Sequence, residues 1–207
     1  MKLSAKKSGP VPKEALAYFR RKTVKPGLDT KAAWREEYDL AFKVAQVAAD
    51  DLLEAMRAAT EKAIAEGLTF AQFAAQLDDV VVALGWAGAD DKPPWRLKLV
   101  YSTNMRVARA AGQYARVQRT KEDRPYLEYS LGPAVRHREA HAGWAGTILP
   151  VDDPWWSTHW PPNGFNCGCH LRQIGTSEAE RRGISEEAPA GDPDPGWDTT
   201  PGAGRGA

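Results

Sequence analysis

Cysteine and histidine are scarce in this chain, and the places that lack them are informative. Only two cysteines and four histidines occur in 207 residues, and all six fall between His137 and His170. The cysteines stand one residue apart, as Cys167-Gly168-Cys169. Neighbours this close form a strained disulfide that closes almost no loop, which argues against a structural crosslink. Free thiols fit a reducing cytoplasm, where they can bind metal. No apolar run approaches the roughly eighteen residues that a membrane-crossing helix needs, so no membrane contact is expected. The N-terminus carries lysines but no apolar stretch behind them, unlike a secretory signal. Phosphate-binding glycine loops, dinucleotide fingerprints and nucleophile elbows are absent too, which removes the common nucleotide-binding and serine-hydrolase classes. The net charge is only +1, so the body of the molecule exerts no strong field on a partner.

What is present is unevenly placed. The first 25 residues hold eight lysines or arginines against a single acid, Glu14, whereas the last thirty or so lean acidic, from Glu178 to Asp198. Contacts are therefore expected from the ends. Residues 1–11 read as a flexible basic arm, and residues 176–207, rich in Glu, Pro, Gly and Asp, as a disordered tail.

Between these ends, residues 12–124 read as helical. Pro12 suits the first turn of a short helix with Leu16 and Phe19 inward. After Pro26-Gly27, a cap at Asp29 or Thr30 opens a long helix to Glu66. Trp34, Tyr38, Ala41, Ala45, Ala48, Leu52, Met56, Ala59 and Ala63 lie along one face of it, and Gly67 is its stop. Thr69 and Gln72 form a capping box for a helix reaching Leu84, ended by Gly85. A further long helix runs from about Trp95 to Thr120. After Pro125 the pattern changes. Tyr126 to Ser130 alternates as a strand does, and Leu171 to Ile174 reads as a closing strand. The expected fold is α+β: a mainly helical first two-thirds, then a small irregular β-containing module over residues 125–175, stabilised by zinc.

The chemistry is concentrated in that module. Cys167 and Cys169 can reach one ion, and zinc favours thiolate and imidazole donors in a tetrahedron. His141 is the natural third ligand. The fourth is open among His170, His159, His137, Asp152, Asp153 and water; a protein ligand would make the centre structural, and water would leave it open to chemistry. Trp144, Trp155, Trp156 and Trp160 crowd the same stretch, more as a small core than as a platform for bases.

Several pieces, in order, resemble the phage Mu F-like family of minor head, or head morphogenesis, proteins. They are AFKVAQVAADDLLEAMRAAT, GLTFAQFAAQLDD, YSTNMRVARAAGQYA, the His-x4-Gly of His141 to Gly146, and LPVDDPWWSTHWPPNGFNCGC, which contains Asp153 and Trp156. The resemblance covers about residues 12–174. It implies a low-copy structural protein, not an enzyme, of a tailed phage or prophage. Such a protein acts at the portal vertex in head assembly, and in some members in DNA packaging or ejection. The implied partners are the portal protein and capsid or scaffold proteins, with phage DNA reached by the basic arm. The implied location is the virion head near the portal, and the host cytoplasm during assembly. Asn104 and Arg106 match recurrent positions and are implied to tether the long helix to the C-terminal module. Some family positions differ: the family's Cys-Arg-Cys reads Cys-Gly-Cys here, and Ala134 stands where an aspartate is frequent. Two other readings make different demands. A metal-dependent hydrolase or nuclease needs Asp152 or Asp153 as general base beside the metal. A zinc-stabilised nucleic-acid-binding module needs exposed tryptophans flanking a basic groove.

Overall fold

In the computed structural model, the described residues are 12–24, 41–42, 44, 47, 49–86 and 94–204. The basic arm at 1–11, together with Trp34, Tyr38, Ala45 and Ala48, lies outside them. The chain divides into two units, Met1–Arg109 and Ala110–Ala207, so the second begins within the long helix and not after residue 124.

The first unit starts with α1 (Lys13–Arg20), which follows Pro12 and buries Leu16 and Phe19 as their spacing requires. Two short strands follow, β1 (Thr23–Val24) and β2 (Ala41–Phe42), paired in parallel. The strand at 41–42 corrects the expectation of one helix from residue 29 or 30 to 66. Phe42 is fully buried and meets the Phe19 ring edge-on at 5.8 Å. That packing and the backbone pairing override an alanine-rich spacing that only resembled a helical face. The helix that does form, α2 (Asp50–Glu66), opens with two aspartates, which suit the positive end of its dipole. It stops at Gly67, whose φ of 65° is the left-handed conformation a C-terminal glycine supplies cheaply. Its buried side carries Leu53, Met56, Thr60, Ala63 and Ile64. The Thr60 hydroxyl is satisfied by donating to the Met56 carbonyl at 2.7 Å.

The capping box of Thr69 and Gln72 forms as read and opens α3 (Phe70–Ala74). The helix expected to reach Leu84 is broken, however, and restarts as α4 (Asp78–Ala83). Tight bonds from Gln76 to Phe73 and from Leu77 to Ala74 turn the chain, and Asp78-Asp79 supply a fresh acidic first turn. The long helix α5 (Trp95–Thr120) has the expected bounds. In its first half the Tyr101 hydroxyl donates to the Leu68 carbonyl at 2.6 Å, with its ring against Phe70 and Phe73.

The second unit is built on a three-stranded antiparallel sheet: β3 (Tyr126–Ser130) lies between β4 (Ile148–Pro150) and β5 (His170–Ile174). Together with the helices this makes the fold α+β. Strand alternation sends Leu127, Tyr129 and Leu171 into a core with Trp144, Trp155, Trp156 and Trp160. Ala110 and Val117 of α5 complete that core. Glu128 is buried too, and is held by Arg172 at 2.9 Å and by Arg182. Pairing on both sides compensates a carboxylate that would otherwise be costly to bury.

The tail is the second correction. Residues 176–207 read as disordered, yet Thr176–Arg182 forms α8, and the chain beyond it packs onto the tryptophans. Trp144 Nε1 donates to the Ala190 carbonyl at 3.0 Å and Trp155 Nε1 to the Pro189 carbonyl at 3.2 Å. The Thr200 hydroxyl donates to the Trp156 carbonyl at 2.7 Å, and Trp197 is buried with its ring edge-on to Phe165. Low hydrophobicity argues for disorder only when a segment has nothing to bind. Here the segment binds through backbone carbonyls, which composition does not reveal. Ending the chain at Gly183 leaves two core indole N–H groups without acceptors, at about 1–3 kcal/mol each. A large drop in the urea midpoint and red-shifted tryptophan emission are expected; an unchanged midpoint would show the tail to be dispensable. Among the described residues no helix is long and apolar enough to cross a membrane.

Candidate metal centre

Three side chains separated in sequence converge beside the sheet. His141 lies in the short helix α6 (Glu139–Gly143), buried, with its ring stacked on Trp144 at 4.9 Å. The helix ends at Gly143, and the turn after it closes at Gly146, whose φ of 83° few other residues adopt without strain. The Gly146 N–H donates to the Tyr129 carbonyl at 2.9 Å and so ties the end of α6 to β3. This is the physical content of the His-x4-Gly spacing. Cys167 and Cys169 lie on the loop that enters β5, after a turn in which the Cys167 N–H donates to the Gly164 carbonyl at 3.1 Å. Asn166, at φ 60°, takes the left-handed step that asparagine tolerates.

His141 Nδ1 is 3.8 Å from each sulfur, and the three donor atoms lie within 4.8 Å of one another. Ligands about 2.0–2.3 Å from a tetrahedral zinc are themselves separated by about 3.5–3.8 Å. The group is therefore close enough to hold a metal ion with little adjustment. Its surroundings also suit thiolates. The backbone N–H groups of Asn163 and Cys169 bond Cys167. The Gly132 N–H and the Tyr129 hydroxyl bond Cys169, as does His141. Without metal the two sulfurs share a proton. The Cys167 thiol beside it, helped by His141, Tyr129 and Gly132, holds Cys169 down to about 3. The same hydrogen bond, followed by burial, pushes Cys167 well above the usual thiol range. The pair thus carries one thiolate at neutral pH, and metal uptake there displaces about one proton, not two. Calorimetry in buffers of different ionisation enthalpy reads that number, and two protons would refute the shared-proton picture.

Of the other residues singled out from the sequence, His170 does not join the group. It is exposed at the start of β5, paired in register with Ser130. Its strand neighbour Leu171 turns into the core, which leaves His170 on the outer face of β5. His159 is buried and engaged, with Nε2 2.9 Å from the Gly191 carbonyl and its ring stacked on Trp155 at 4.2 Å. Asp153 lies in the turn before α7 (Trp156–His159), its carboxylate accepting from the Trp155 N–H at 2.9 Å. Asp152 is exposed and pairs with Lys121 at 2.7 Å. Trp156 is buried and donates to the Pro150 carbonyl at 2.8 Å. Asn104 donates to the Val100 carbonyl of its own helix at 2.9 Å, and Arg106 has a buried Nη1 without a hydrogen-bond partner among the described residues.

Tyr129, Asn163 and Gly132 were not legible as parts of the centre. Tyr129 read as a strand residue, and Asn163 sits in a Pro-Pro-Asn-Gly run, a composition that points to a turn. In the fold both are fully buried, with the Tyr129 hydroxyl donating to Asn163 Oδ1 at 3.0 Å. A Cβ on Gly132 would come within 2.2 Å of the Gly168 carbonyl oxygen, whereas one on Gly168 meets nothing nearer than 3.7 Å. Gly132→Ala is therefore expected to displace the cysteine loop and destabilise the unit by roughly 2 kcal/mol or more. Gly168→Ala should cost well under 1 kcal/mol. Urea midpoints compare the two, and equal effects would contradict the close approach.

A helical unit, followed by a small tryptophan-lined sheet carrying a His-Cys-Cys group able to hold metal, defines a distinct class of α+β chain. The chain belongs to the phage Mu protein F like family, whose model matches residues 54–172 and so includes all three donors. It is 33% identical over 190 residues to a protein of Escherichia phage Mu named "Putative capsid assembly protein F", covering 84% of this chain and 42% of that one. It is 31% identical over 164 residues to the Mu-like prophage FluMu F protein of Haemophilus influenzae (strain ATCC 51907 / DSM 11121 / KW20 / Rd), covering 73% and 40%. The chain thus spans about two-fifths of the length of these curated relatives. No solved structure matches it.

Proposed function

We propose that the chain is a structural protein of phage head assembly acting at the portal vertex, and that zinc held by His141, Cys167 and Cys169 organises its second unit. The observation that carries the first part is the similarity to the phage Mu protein over most of this chain, since that relative's name assigns it to capsid assembly. The partners in this reading are the portal protein and capsid or scaffold proteins. The basic arm at 1–11 reaches portal or packaged DNA, and the location is the virion head and, during assembly, the host cytoplasm. Arg106 stays in the proposal as an interaction residue. Bound zinc would crosslink α6 to the cysteine loop, joining segments whose donors are 26 and 28 residues apart.

A non-enzymatic role is favoured by where the carboxylates lie. Asp152 is engaged with Lys121 and Asp153 with the Trp155 N–H, and neither belongs to the donor group as a general base would. The four tryptophans of the stretch are buried, which removes the stacking surface a nucleic-acid module needs. Deleting the gene from the phage or prophage that encodes the chain tests the proposal. Electron microscopy of lysates should show complete tails with malformed or missing heads, restored by the wild-type gene in trans. Normal, filled heads from the deletion would overturn it.

A further inference from the structure

We propose that the His141–Cys167–Cys169 centre is a three-donor site whose fourth position takes an exchangeable ligand from outside these 207 residues, water at rest and a small thiol when one is available. The inference rests on the metal reading above and extends it from what binds to how the bound ion is exposed.

The first argument is an inventory of donors. The chain's other three histidines, His137, His159 and His170, are all described, and none belongs to the donor group. His159 is held by the Gly191 carbonyl and by Trp155, and His170 faces outward from β5. These 207 residues hold no other histidine or cysteine. Among the described residues no carboxylate joins the group either. Asp194, near in the fold, pairs with Arg138 at 2.9 Å. The Tyr129 hydroxyl is within hydrogen-bonding reach of both Cys169 and Asn163 Oδ1. It is placed to be a hydrogen-bond partner for sulfur.

The second argument is access. Cys167 and His141 are buried, whereas Cys169 is only partly so. Gly132, which packs against Gly168 beside it, leads into a run from Pro133 to Arg136 that is exposed, with Val135 fully so. The approach is therefore from the Cys169 side. The third argument is chemical class. Two thiolates balance the charge of a divalent ion and make the centre soft, so a further sulfur donor is preferred over a hard carboxylate. Closed zinc sites carry four protein ligands, and two thiolates with one imidazole is the donor set of sites that keep a position open.

The test uses the full chain loaded with cobalt(II) and titrated with mercaptoethanol, with cobalt content checked after desalting. The proposal expects a wild-type spectrum of two thiolates. On titration the ligand-field bands should shift and sulfur-to-cobalt charge transfer should grow by about half, as a third sulfur joins two. His170→Ala should behave identically. Bound cobalt with no response to thiol overturns the open position while leaving the metal reading intact. A spectrum altered by His170→Ala, before any thiol is added, overturns it by making His170 the fourth ligand. Failure to bind cobalt overturns both readings.

Discussion

Replacing Cys167 and Cys169 together by serine is expected to abolish stoichiometric zinc and to lower the stability of the second unit by about 3 kcal/mol. An ion present at a hundred times its dissociation constant contributes roughly 2.7 kcal/mol to the folded state, and tighter binding contributes more. A domain of this size has only about 5–15 kcal/mol in total, so the loss is large. The substitutions themselves are small: serine nearly fills the space of cysteine, and the N–H groups of Asn163, Cys169 and Gly132 that bond the sulfurs retain an oxygen acceptor. Most of the effect therefore reports metal. Urea unfolding with zinc and with chelator separates the two contributions. Chelated wild type should unfold near the double variant, and zinc-loaded wild type well above both. A double variant as stable as zinc-loaded wild type would show that the donors do not hold a folding metal.

The second large effect is expected from Trp144→Ala, at about 4 kcal/mol. The indole is fully buried and meets Tyr129 at 5.8 Å, Trp155 at 6.0 Å and His159 at 4.7 Å, all edge-on, while His141 stacks on it. Its N–H also anchors the tail through Ala190. Truncation opens a cavity at the junction of sheet, tail and metal donors, and leaves the His141 ring without the surface that orients it. Trp144→Phe keeps an aromatic face but loses the N–H, at about 1 kcal/mol. Zinc affinity measured beside stability distinguishes the roles, with weakened metal binding expected for alanine and near-normal binding for phenylalanine. A fully stable Trp144→Ala variant would refute the packing described.

What could be read from the sequence follows from how local its cause is. The Thr69–Gln72 capping box, the stop at Gly67, the bounds of α5 and the strand β3 are each set by residues within a few positions, and the structure has them. Clustering of histidine and cysteine in one stretch pointed to His141, Cys167 and Cys169, which the fold brings close enough to hold an ion. The misses are non-local. Ala41–Phe42 is a strand because of Thr23–Val24 and Phe19. The tail is ordered because carbonyls at 189–191 meet ring nitrogens of Trp144, Trp155 and His159. His170, one of the candidates for the fourth position, is exposed because its strand neighbour Leu171 takes the core-facing side. Gly132 gave no signal, since its constraint comes from Gly168 across the fold.

Elemental analysis of untagged wild-type protein, purified reduced and without chelator, tests the central claim most directly. The account predicts close to one zinc per chain, lost on replacing Cys167 and Cys169. Fully reduced, folded protein without metal, and unable to take up added zinc, would contradict it.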